Sequence, residues 1–247
     1  MARLDGKTAL VTGGSRGIGR AIAERLAADG AEVVLSYATN ESAAADVVKA
    51  ITAAGGRAHA VAADLRFPES ARQLFVQAEK MVGPLDILVN NAAIGVTGLI
   101  AETADEDFDA TMTTNLRSPF MLMREAARRL RDGGRIVNIS TANTILPGPG
   151  MAAYAASKAA IEMLSRVAAY ELGEREITVN AVLPGATDTD MFRAANPAED
   201  VHQKLADMTA LRRLGQPADI ADVVAFLVST DARWLTGQSI RATGGLA

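Results

Sequence analysis

The chain contains no cysteine among its 247 residues. This absence excludes disulfide bonds, thiol nucleophiles and thiolate metal ligands together. Only two histidines are present, His59 and His202, and they lie far apart in sequence without forming a metal-ligand motif. We therefore expect neither a metal centre nor a catalytic triad built on histidine.

The chain also lacks a strong excess of positive or negative charge, and it has no long apolar run. The chain has 25 basic and 29 acidic residues, its net charge is −4, and it contains no block of basic residues. A nucleic-acid partner is not expected on this balance. The N-terminal residues enter a strand pattern without an apolar signal segment, and no run approaches the length of a membrane span. We expect a cytoplasmic protein without a membrane partner.

Short apolar segments alternate with amphipathic ones along the chain. Strands are predicted at residues 7–12, 32–37, 58–62, 86–90, 134–140, 177–183 and 237–242. Helices are predicted at residues 17–28, 42–54, 68–81, 105–130 with an interruption at Pro119, 153–169 and 217–229. This alternation predicts an α/β fold: a single-domain (residues 1–247), Rossmann-type doubly wound sheet of about seven parallel strands with helices on both faces. The irregular segment 186–214 is long for a connection, and we expect a substrate loop there.

A glycine-rich segment, TGGSRGIG at residues 12–19, separates the first strand from the first helix. Glycines at this place allow the main chain to approach a pyrophosphate at the helix N-terminus, although the spacing differs from the commoner G-x-G-x-x-G pattern. We therefore expect a dinucleotide here. The expected contacts are Gly13, Ser15, Arg16, Gly17, Ile18 and Gly19.

The end of the second strand indicates which dinucleotide binds. An acidic residue at this place would bind the ribose 2′-hydroxyl of NAD, but no carboxylate precedes Glu41. Arg16 is in reach of a 2′-phosphate, which hydroxyl and amide groups also bind. The sequence therefore favours NADP(H), with further contacts from Ser36, Tyr37, Thr39 and Asn40.

Tyr154 and Lys158 are four residues apart in a predicted helix, so their side chains share one face. An ammonium beside a phenol favours the phenolate, and we expect the pKa of Tyr154 to fall below about 10. Such a pair is a candidate proton-transfer device. Because exposed helices carry the same spacing without a function, the pair alone leaves both interpretations open.

Six motifs occur in one order across nearly the whole chain: TGGSRGIG (12–19), NNAA (90–93), Asn115, NIST (138–141), YAASK (154–158) and PGATDTDM (184–191). Together they resemble the short-chain dehydrogenase/reductase family, most closely its 3-oxoacyl-carrier-protein-reductase-like ketoreductases. The resemblance implies that Tyr154 is the general acid and that Lys158 lowers its pKa and binds the nicotinamide ribose. It also implies that Asn115 completes a water-linked proton relay.

The catalytic hydroxyl is where this chain departs from the family. The family usually has a serine thirteen residues before the tyrosine, and this chain has Thr141 there with Ser140 just before it. Adjacent strand residues point to opposite faces, and a threonine hydroxyl can also donate to a substrate oxygen. Thr141 is favoured, and Ser140 stays open as the alternative.

The resemblance also implies further cofactor contacts. Asp64 and Leu65 correspond to an adenine-contacting pair, and Asn91, Ala92 and Ala93 to the segment beside the adenosine ribose. Pro184, Gly185, Thr187 and Thr189 correspond to the segment that holds the nicotinamide carboxamide. Ala93 replaces a frequent glycine, and the segment 242–245 lacks an aspartate that often precedes its two glycines.

The implied function is that of an NADPH-dependent oxidoreductase that reduces a ketone or aldehyde to an alcohol by hydride transfer. The alternatives are an NADP-dependent alcohol dehydrogenase, which uses the same residues in the oxidative direction, and a non-catalytic NADP(H)-binding protein. The substrate is a small molecule of open identity, with its pocket expected at residues 94–96, 143–151 and 186–214. Related proteins usually form homotetramers through the fourth and fifth helices and the last strand. The apolar residues Ala160, Leu164 and Ala168 suit such an interface, and packing in the core explains them equally well.

Overall fold

Seven parallel strands form one sheet in the order β3-β2-β1-β4-β5-β6-β7. The structure, a computed structural model, describes residues 3–246. The strands are β1 (Thr8–Val11), β2 (Glu32–Tyr37), β3 (Arg57–Ala62), β4 (Ile87–Asn90), β5 (Arg135–Ile139), β6 (Thr178–Pro184) and β7 (Ser239–Ala242). The chain runs outward from β1 to β3 and then resumes at β4 on the other side of β1. The crevice for a ligand is therefore expected at the carboxyl ends of β1 and β4.

The helices cover both faces of the sheet, as predicted. They are α1 (Gly17–Ala28), α2 (Glu41–Ala53), α3 (Pro68–Val82), α4 (Asp105–Met112), α5 (Ser118–Arg129), α6 (Ala152–Glu171), α7 (Asp190–Ala195), α8 (Glu199–Met208) and α9 (Pro217–Leu227). One core cluster joins the sheet to α1, α2 and α9, and the other joins it to α3, α5 and α6. The predicted doubly wound α/β fold is confirmed.

Strand β1 shows how its sequence, TALV, supplies both cores. All four residues are buried; Ala9 and Val11 belong to the first cluster, and Leu10 belongs to the second. Successive side chains of a strand point to opposite faces, so an unbroken apolar run fits a strand covered on both sides. Full burial of a valine or leucine side chain contributes roughly 1.5–3 kcal/mol.

The helical region after β4 differs from the prediction. The chain stays helical at Pro119, and the irregularity lies just before it, in a π-helical turn at Thr113–Arg117 that joins α4 to α5. The N–H of Ser118 donates to the carbonyl of Thr113, five residues back. Because a proline ring collides with the carbonyl four residues earlier, a wider turn accommodates Pro119 where an α-helical turn would not. The predicted interruption at Pro119 was therefore wrong.

Asp86, just before β4, carries a buried carboxylate at the amino-terminal edge of the sheet. Its oxygens accept hydrogen bonds from Lys7 Nζ at 2.9 Å and Arg131 Nη1 at 3.1 Å. The N–H and hydroxyl of Thr8 donate to it as well, at 3.0 and 3.1 Å. This one side chain therefore ties β1 and the end of α5 to β4.

We expect Asp86→Ala to lower the free energy of unfolding by about 2 kcal/mol, because several charge-assisted hydrogen bonds are lost and the N–H of Thr8 loses its acceptor. The measurement is urea unfolding at one fixed protein concentration. Asp200→Ala is the matched control; Asp200 pairs with Lys204 on the exposed surface, and its loss should cost less than about 1 kcal/mol. Equal shifts in both variants would contradict the role given to Asp86.

Candidate active site

The turn between β1 and α1 has no room for side chains at its glycines. Gly13 and Gly17 have φ angles of +64° and +54°, which disfavour any residue with a Cβ. A Cβ on Gly19 would lie 2.2 Å from the carbonyl oxygen of Gly13 and 2.4 Å from Asn91 Nδ2. The main chain of the turn therefore packs so closely on itself and on Asn91 that Gly19 has no room for a side chain.

The N-terminus of α1 suits an anion. Its N-cap residue, Arg16, makes no side-chain capping hydrogen bond, and the first turn contains no acidic residue. The first N–H groups of a helix lack partners within the helix, and they carry the positive end of the helix dipole. A pyrophosphate fits this arrangement.

Polar side chains around the turn fix its shape. The amide Nδ2 of Asn91 donates to the carbonyls of Thr12 and Gly13, at 2.9 and 3.1 Å. The N–H groups of Asn91 and Ala92 donate to Thr12 Oγ1, at 2.9 and 3.0 Å. Ser36 is buried at the end of β2, and its Oγ accepts from the N–H of Gly13 at 3.2 Å. Asn91 and Ser36 thus position the turn.

The other residues predicted near the nucleotide lie in the glycine turn and at its junction with α1, at or after the end of β2, and after β3. Arg16, Thr39 and Asn40 are exposed, and Oδ1 of Asn40 caps α2 by accepting from Ala43 N–H at 2.9 Å. The remaining predicted residues of this end are half-buried or buried: Ser15, Ile18, Tyr37, Asp64 and Leu65. The structure thus collects them along the carboxyl edge of β1, β2 and β3.

Asp64 and Leu65 begin one residue after the end of β3. The guanidinium of Arg66 contacts the Asp64 carboxylate at 2.6 Å, and this contact lowers the pKa of Asp64. The carbonyl of Leu65 accepts from Ser118 Oγ at 2.7 Å, so this segment is fixed to the start of α5.

Lys158 is buried in α6 against the end of β5. Its Nζ donates to the carbonyl of Ile139 at 2.8 Å and lies 5.9 Å from the centre of the Tyr154 ring. Burial lowers the pKa of Lys158 to about 8, because the charged amine loses hydration. The helical spacing predicted from the sequence therefore brings the two side chains together.

The pKa of Tyr154 moves in the direction opposite to the prediction. Burial raises it, and a hydrogen bond with the Thr141 side chain opposes part of that rise. Desolvation disfavours the charged phenolate and is the larger of these two effects. The predicted lowering by Lys158 is wrong for the protein without its cofactor, because sequence spacing carries no information about the depth of burial.

Thr141 and Ser140 follow the end of β5 and have different partners on α6. Hydrogen bonding from Thr141 lowers the pKa of Tyr154, and Thr141 Oγ1 accepts from the N–H of Asn143 at 3.3 Å. Ser140 donates to Glu162 Oε1 at 2.6 Å and to the carbonyl of Lys158 at 3.3 Å. Thr141 is thus the hydroxyl beside the tyrosine, and Ser140 with Glu162 anchors the strand end to α6.

Asn115 lies in the π-helical turn and is fully buried. Its amide pairs with the main chain of Ile94 in both directions, with 2.9 Å for each hydrogen bond. Nδ2 also donates to Ser157 Oγ at 3.2 Å, and Ser157 donates to the carbonyl of Tyr154 at 2.7 Å. The side chain therefore connects the segment after β4 to the first turns of α6. Sequence reasoning missed Ser157 and Glu162, since neither residue type has a distinctive spacing here.

The segment after β6 forms the remaining side of the site. A Cβ on Gly185 would lie 2.9 Å from Cα of Thr243, so the two strand ends touch. Thr187 is buried and donates to the carbonyl of Gly185 at 3.0 Å, and Thr189 caps α7 by accepting from the N–H of Phe192 at 3.2 Å. Two more predicted residues flank this region: Pro184, buried at the end of β6, and Ala93, half-buried after β4.

Within residues 3–246, no group of three or more histidine, aspartate or glutamate side chains is arranged to hold a metal ion. Over the same residues, no helix has both the length and the apolar character needed to cross a membrane.

Comparison with known proteins gives full-length matches. A family model described as Enoyl-(Acyl carrier protein) reductase matches residues 13–247. Versicolorin reductase 1 of Aspergillus parasiticus is 42% identical over 254 residues, which cover 98% of this chain and 97% of that protein. The crystal structure of the angucycline C-6 ketoreductase LanV with bound NADP is 44% identical, with a TM-score of 0.94 and coverage of 99% of this chain and 97% of that one. A short-chain dehydrogenase of Burkholderia cenocepacia in complex with NADP is 43% identical, with a TM-score of 0.94 and 99% of both chains covered.

We expect Gly19→Ala to weaken NADPH binding about tenfold or more. The added methyl overlaps the carbonyl of Gly13, and overpacking of this kind costs roughly 1–3 kcal/mol. Calorimetric titration with NADPH measures the change. Gly173→Ala is the control, because a Cβ at Gly173 meets nothing within 4 Å. Unchanged affinity in Gly19→Ala would show that the turn does not hold the nucleotide.

Proposed function

The chain belongs to the short-chain dehydrogenase/reductase family, because the family model described as Enoyl-(Acyl carrier protein) reductase matches residues 13–247, and we propose that it is an NADPH-dependent ketoreductase. It reduces a ketone or aldehyde to an alcohol. The observation that carries the proposal is buried Lys158, whose Nζ lies 5.9 Å from the centre of the Tyr154 ring and donates to the carbonyl of Ile139, at the same sheet edge as the glycine turn. Ketoreductase LanV with NADP and versicolorin reductase 1 support it by similarity.

The residues around the turn fit NADP(H). The glycine turn, which a Cβ at Gly19 would distort by overlapping the carbonyl of Gly13, and the uncapped start of α1 suit the pyrophosphate. We assign the 2′-phosphate to the exposed residues Arg16, Thr39 and Asn40, because residues 36–40 offer no carboxylate to repel it. When bound, the cofactor supplies the hydride.

The catalytic roles follow from the contacts. Tyr154 holds the proton that goes to the carbonyl oxygen, and Thr141 donates a hydrogen bond to the same oxygen. Lys158 binds the nicotinamide ribose and keeps a positive charge near the phenol. A positioned general acid accelerates such a step by about 10² to 10⁴.

Asn115 completes the proposed proton relay through its main chain. Pro119 has no N–H, so the carbonyl of Asn115 lacks the donor that an α-helix would supply four residues later. We propose that this carbonyl binds the relay water, while the amide of Asn115 holds the turn in place.

The two alternatives differ in direction and in turnover. An NADP-dependent alcohol dehydrogenase would use the same groups in reverse, and the preference for NADP(H) favours reduction. A non-catalytic NADP(H)-binding protein has no need of a tyrosine and a threonine side by side next to a buried lysine.

We also propose that the chain is one domain, that residues 186–214 form the substrate loop and that the protein is cytoplasmic.

We propose a homotetramer, with a shift in the expected contact residues. Leu164 and Ala168 pack partly against the core of their own chain. The exposed apolar stripe of α6 is one step along the helix, at Met163, Val167 and Tyr170, and Tyr170 is 90% exposed. Large exposed apolar side chains at helical spacing are typical of a subunit contact. On the side of the last strand, the exposed residue that suits an interface is Trp234, at 95%.

We expect Tyr154→Phe to reduce the rate of carbonyl reduction at least about 10²-fold while sparing NADPH binding, because the variant lacks only the acidic proton. The measurement is NADPH consumption with aldehydes, diketones, β-keto esters and acyl thioesters, with NADH as the cofactor control. A crotonyl thioester in the same panel tests reduction of a carbon–carbon double bond.

Thr141→Ala and Ser140→Ala form the matched pair for this experiment. The Thr141 variant should lose more turnover, since its hydroxyl contacts the tyrosine, and Thr141→Ser should restore much of the rate. Unchanged turnover in Tyr154→Phe would falsify the mechanism. A larger loss in the Ser140 variant would transfer the catalytic hydroxyl to Ser140.

The pH profile should have an alkaline limb set by Lys158. Its pKa is lowered to about 8, so the ammonium is present below that pH and lost above it, while the raised pKa of Tyr154 keeps the phenol protonated over the same range. We expect kcat/KM for reduction to be constant near neutrality and to fall about tenfold per pH unit above about pH 8. Lys158→Arg, whatever its residual rate, should lack this limb because a guanidinium stays charged. A flat wild-type profile up to pH 10 would disprove the assignment.

A further inference from the structure

A third polar side chain continues the line of Tyr154 and Lys158 along α6. Glu162 lies four residues after Lys158, so it shares their face of the helix one turn further on. Glu162 is half-buried, and its Oε1 accepts a hydrogen bond from Ser140 at 2.6 Å. We infer that Glu162 is a positioning residue: through Ser140 it holds the end of β5, whose last carbonyl binds the ammonium of Lys158. The inference rests on the proposed function, because it concerns the lysine of the same reaction.

The peptide group between Ile139 and Ser140 holds the ammonium in place. Its carbonyl, that of Ile139, accepts from Lys158 Nζ at 2.8 Å. Its N–H, that of Ser140, donates to the carbonyl of Val182 in β6 at 2.7 Å. Because a peptide group is planar, its N–H and carbonyl point in opposite directions, and a tilt that changes one hydrogen bond changes the other. The position of Nζ therefore depends on the orientation of this one peptide group.

The side chain of Ser140 connects the same peptide group to α6. Its Oγ donates to Glu162 Oε1 at 2.6 Å and makes a longer contact, at 3.3 Å, with the carbonyl of Lys158. A length of 2.6 Å is typical of a hydroxyl that donates to a carboxylate, and such a bond is stronger than one between neutral groups. The end of β5 is therefore fixed to α6 one turn beyond Lys158.

Burial makes this connection important for the lysine. Ile139, Ser140 and Lys158 are all buried, so little water is available to replace an acceptor that moves away from the ammonium. A buried charged donor is costly without a partner, and the ammonium must therefore follow the carbonyl of Ile139 when the strand end moves. Glu162 thus acts on the reaction through Ser140 and this peptide group.

The same hydrogen bond gives the two neighbouring hydroxyls different roles. A serine hydroxyl has one proton, and that of Ser140 is directed to Glu162 and not to a substrate oxygen. The hydroxyl of Thr141 lies beside Tyr154 instead. Loss of Glu162 should therefore resemble loss of Ser140 in its effect on turnover.

A double-mutant cycle on Glu162 and Ser140 tests the inference with the ketone that the wild type reduces fastest. We expect Glu162→Ala and Ser140→Ala each to lower kcat about three- to tenfold, with KM for the ketone nearly unchanged. The double variant should lose no more than the larger single loss, since both substitutions break one connection. Losses that multiply in the double variant would overturn the inference, because each residue would then act by itself.

Glu162→Gln is the conservative variant, since its amide oxygen accepts the same hydrogen bond without the charge. It should restore kcat to within about twofold of the wild-type value. A kcat as low as that of Glu162→Ala would overturn the inference.

Glu171→Ala is the matched control. Glu171 is exposed at the last residue of α6, so this substitution removes an acidic side chain from the same helix, away from Ser140. It should leave kcat and KM at the wild-type values. A loss as large as that of Glu162→Ala would contradict the inference, because the charge of the helix would then be responsible.

NADPH binding separates this inference from the proposed function. Because Lys158 is proposed to bind the nicotinamide ribose, we expect Glu162→Ala to raise the Kd for NADPH about three- to tenfold in calorimetry. In a Lys158→Ala background the same substitution should have no further effect, and a further rise there would overturn the inference.

The two proposals can therefore fail independently. If the wild type reduces no ketone but NADPH binding shows this coupling between Glu162 and Lys158, the positioning role holds and the proposed reaction fails. If ketones are reduced and Tyr154→Phe is inactive, but Glu162→Ala changes neither kcat nor the Kd for NADPH, the reaction holds and the positioning role fails.

Discussion

The junction between the end of β5 and α6 determines the geometry of the site. Lys158 Nζ is held by the carbonyl of Ile139, and Ser140 is held by Glu162 and by the carbonyl of Lys158. These contacts come from consecutive residues of the strand end and fix its position against the helix. Ser140 is thus anchored near the middle of α6, while the next residue, Thr141, lies beside Tyr154 near the start of the same helix. The geometry around Tyr154, the proposed acid, thus depends on the hydroxyl of Ser140, which does not itself contact Tyr154.

Burial, more than the charge of a neighbour, sets the proton affinities at this junction. Both reactive groups shift toward their neutral forms: the pKa of Lys158 is lowered to about 8 and that of Tyr154 is raised. A general acid for carbonyl reduction needs a retained proton, so a raised phenol pKa suits reduction. The lysine is then the group whose charge changes nearest to neutral pH, although the phenol is the one proposed to donate the proton.

Much of the fold could be predicted from the sequence, because the central strands are short apolar runs and several helices have a clear start or stop. Gly17 and Ala28 bound α1 as predicted, and Pro68 starts α3. The direction of the Tyr154 pKa shift could not be predicted, since it depends on the packing of distant segments around the phenol. The π-helical turn before Pro119 was missed for a related reason: a proline indicates that a helix must adapt, but not whether it breaks or widens. Similarly, the helical spacing of apolar residues predicted an apolar stripe on α6, but it did not show which residues of the stripe the core would bury.

That π-helical turn links the two halves of the site. In this turn the side chain of Asn115 pairs with Ile94 just after β4, where the nucleotide turn is also anchored through Asn91. The same amide reaches Ser157, which bonds to the carbonyl of Tyr154. A displacement of the turn would therefore move the segment beside the nucleotide and the first turns of α6 together. Because Pro119 has no N–H, the carbonyl of Asn115 also lacks the donor that an α-helix would supply four residues later. The turn that joins the two halves of the site therefore also contains the acceptor proposed for the relay water.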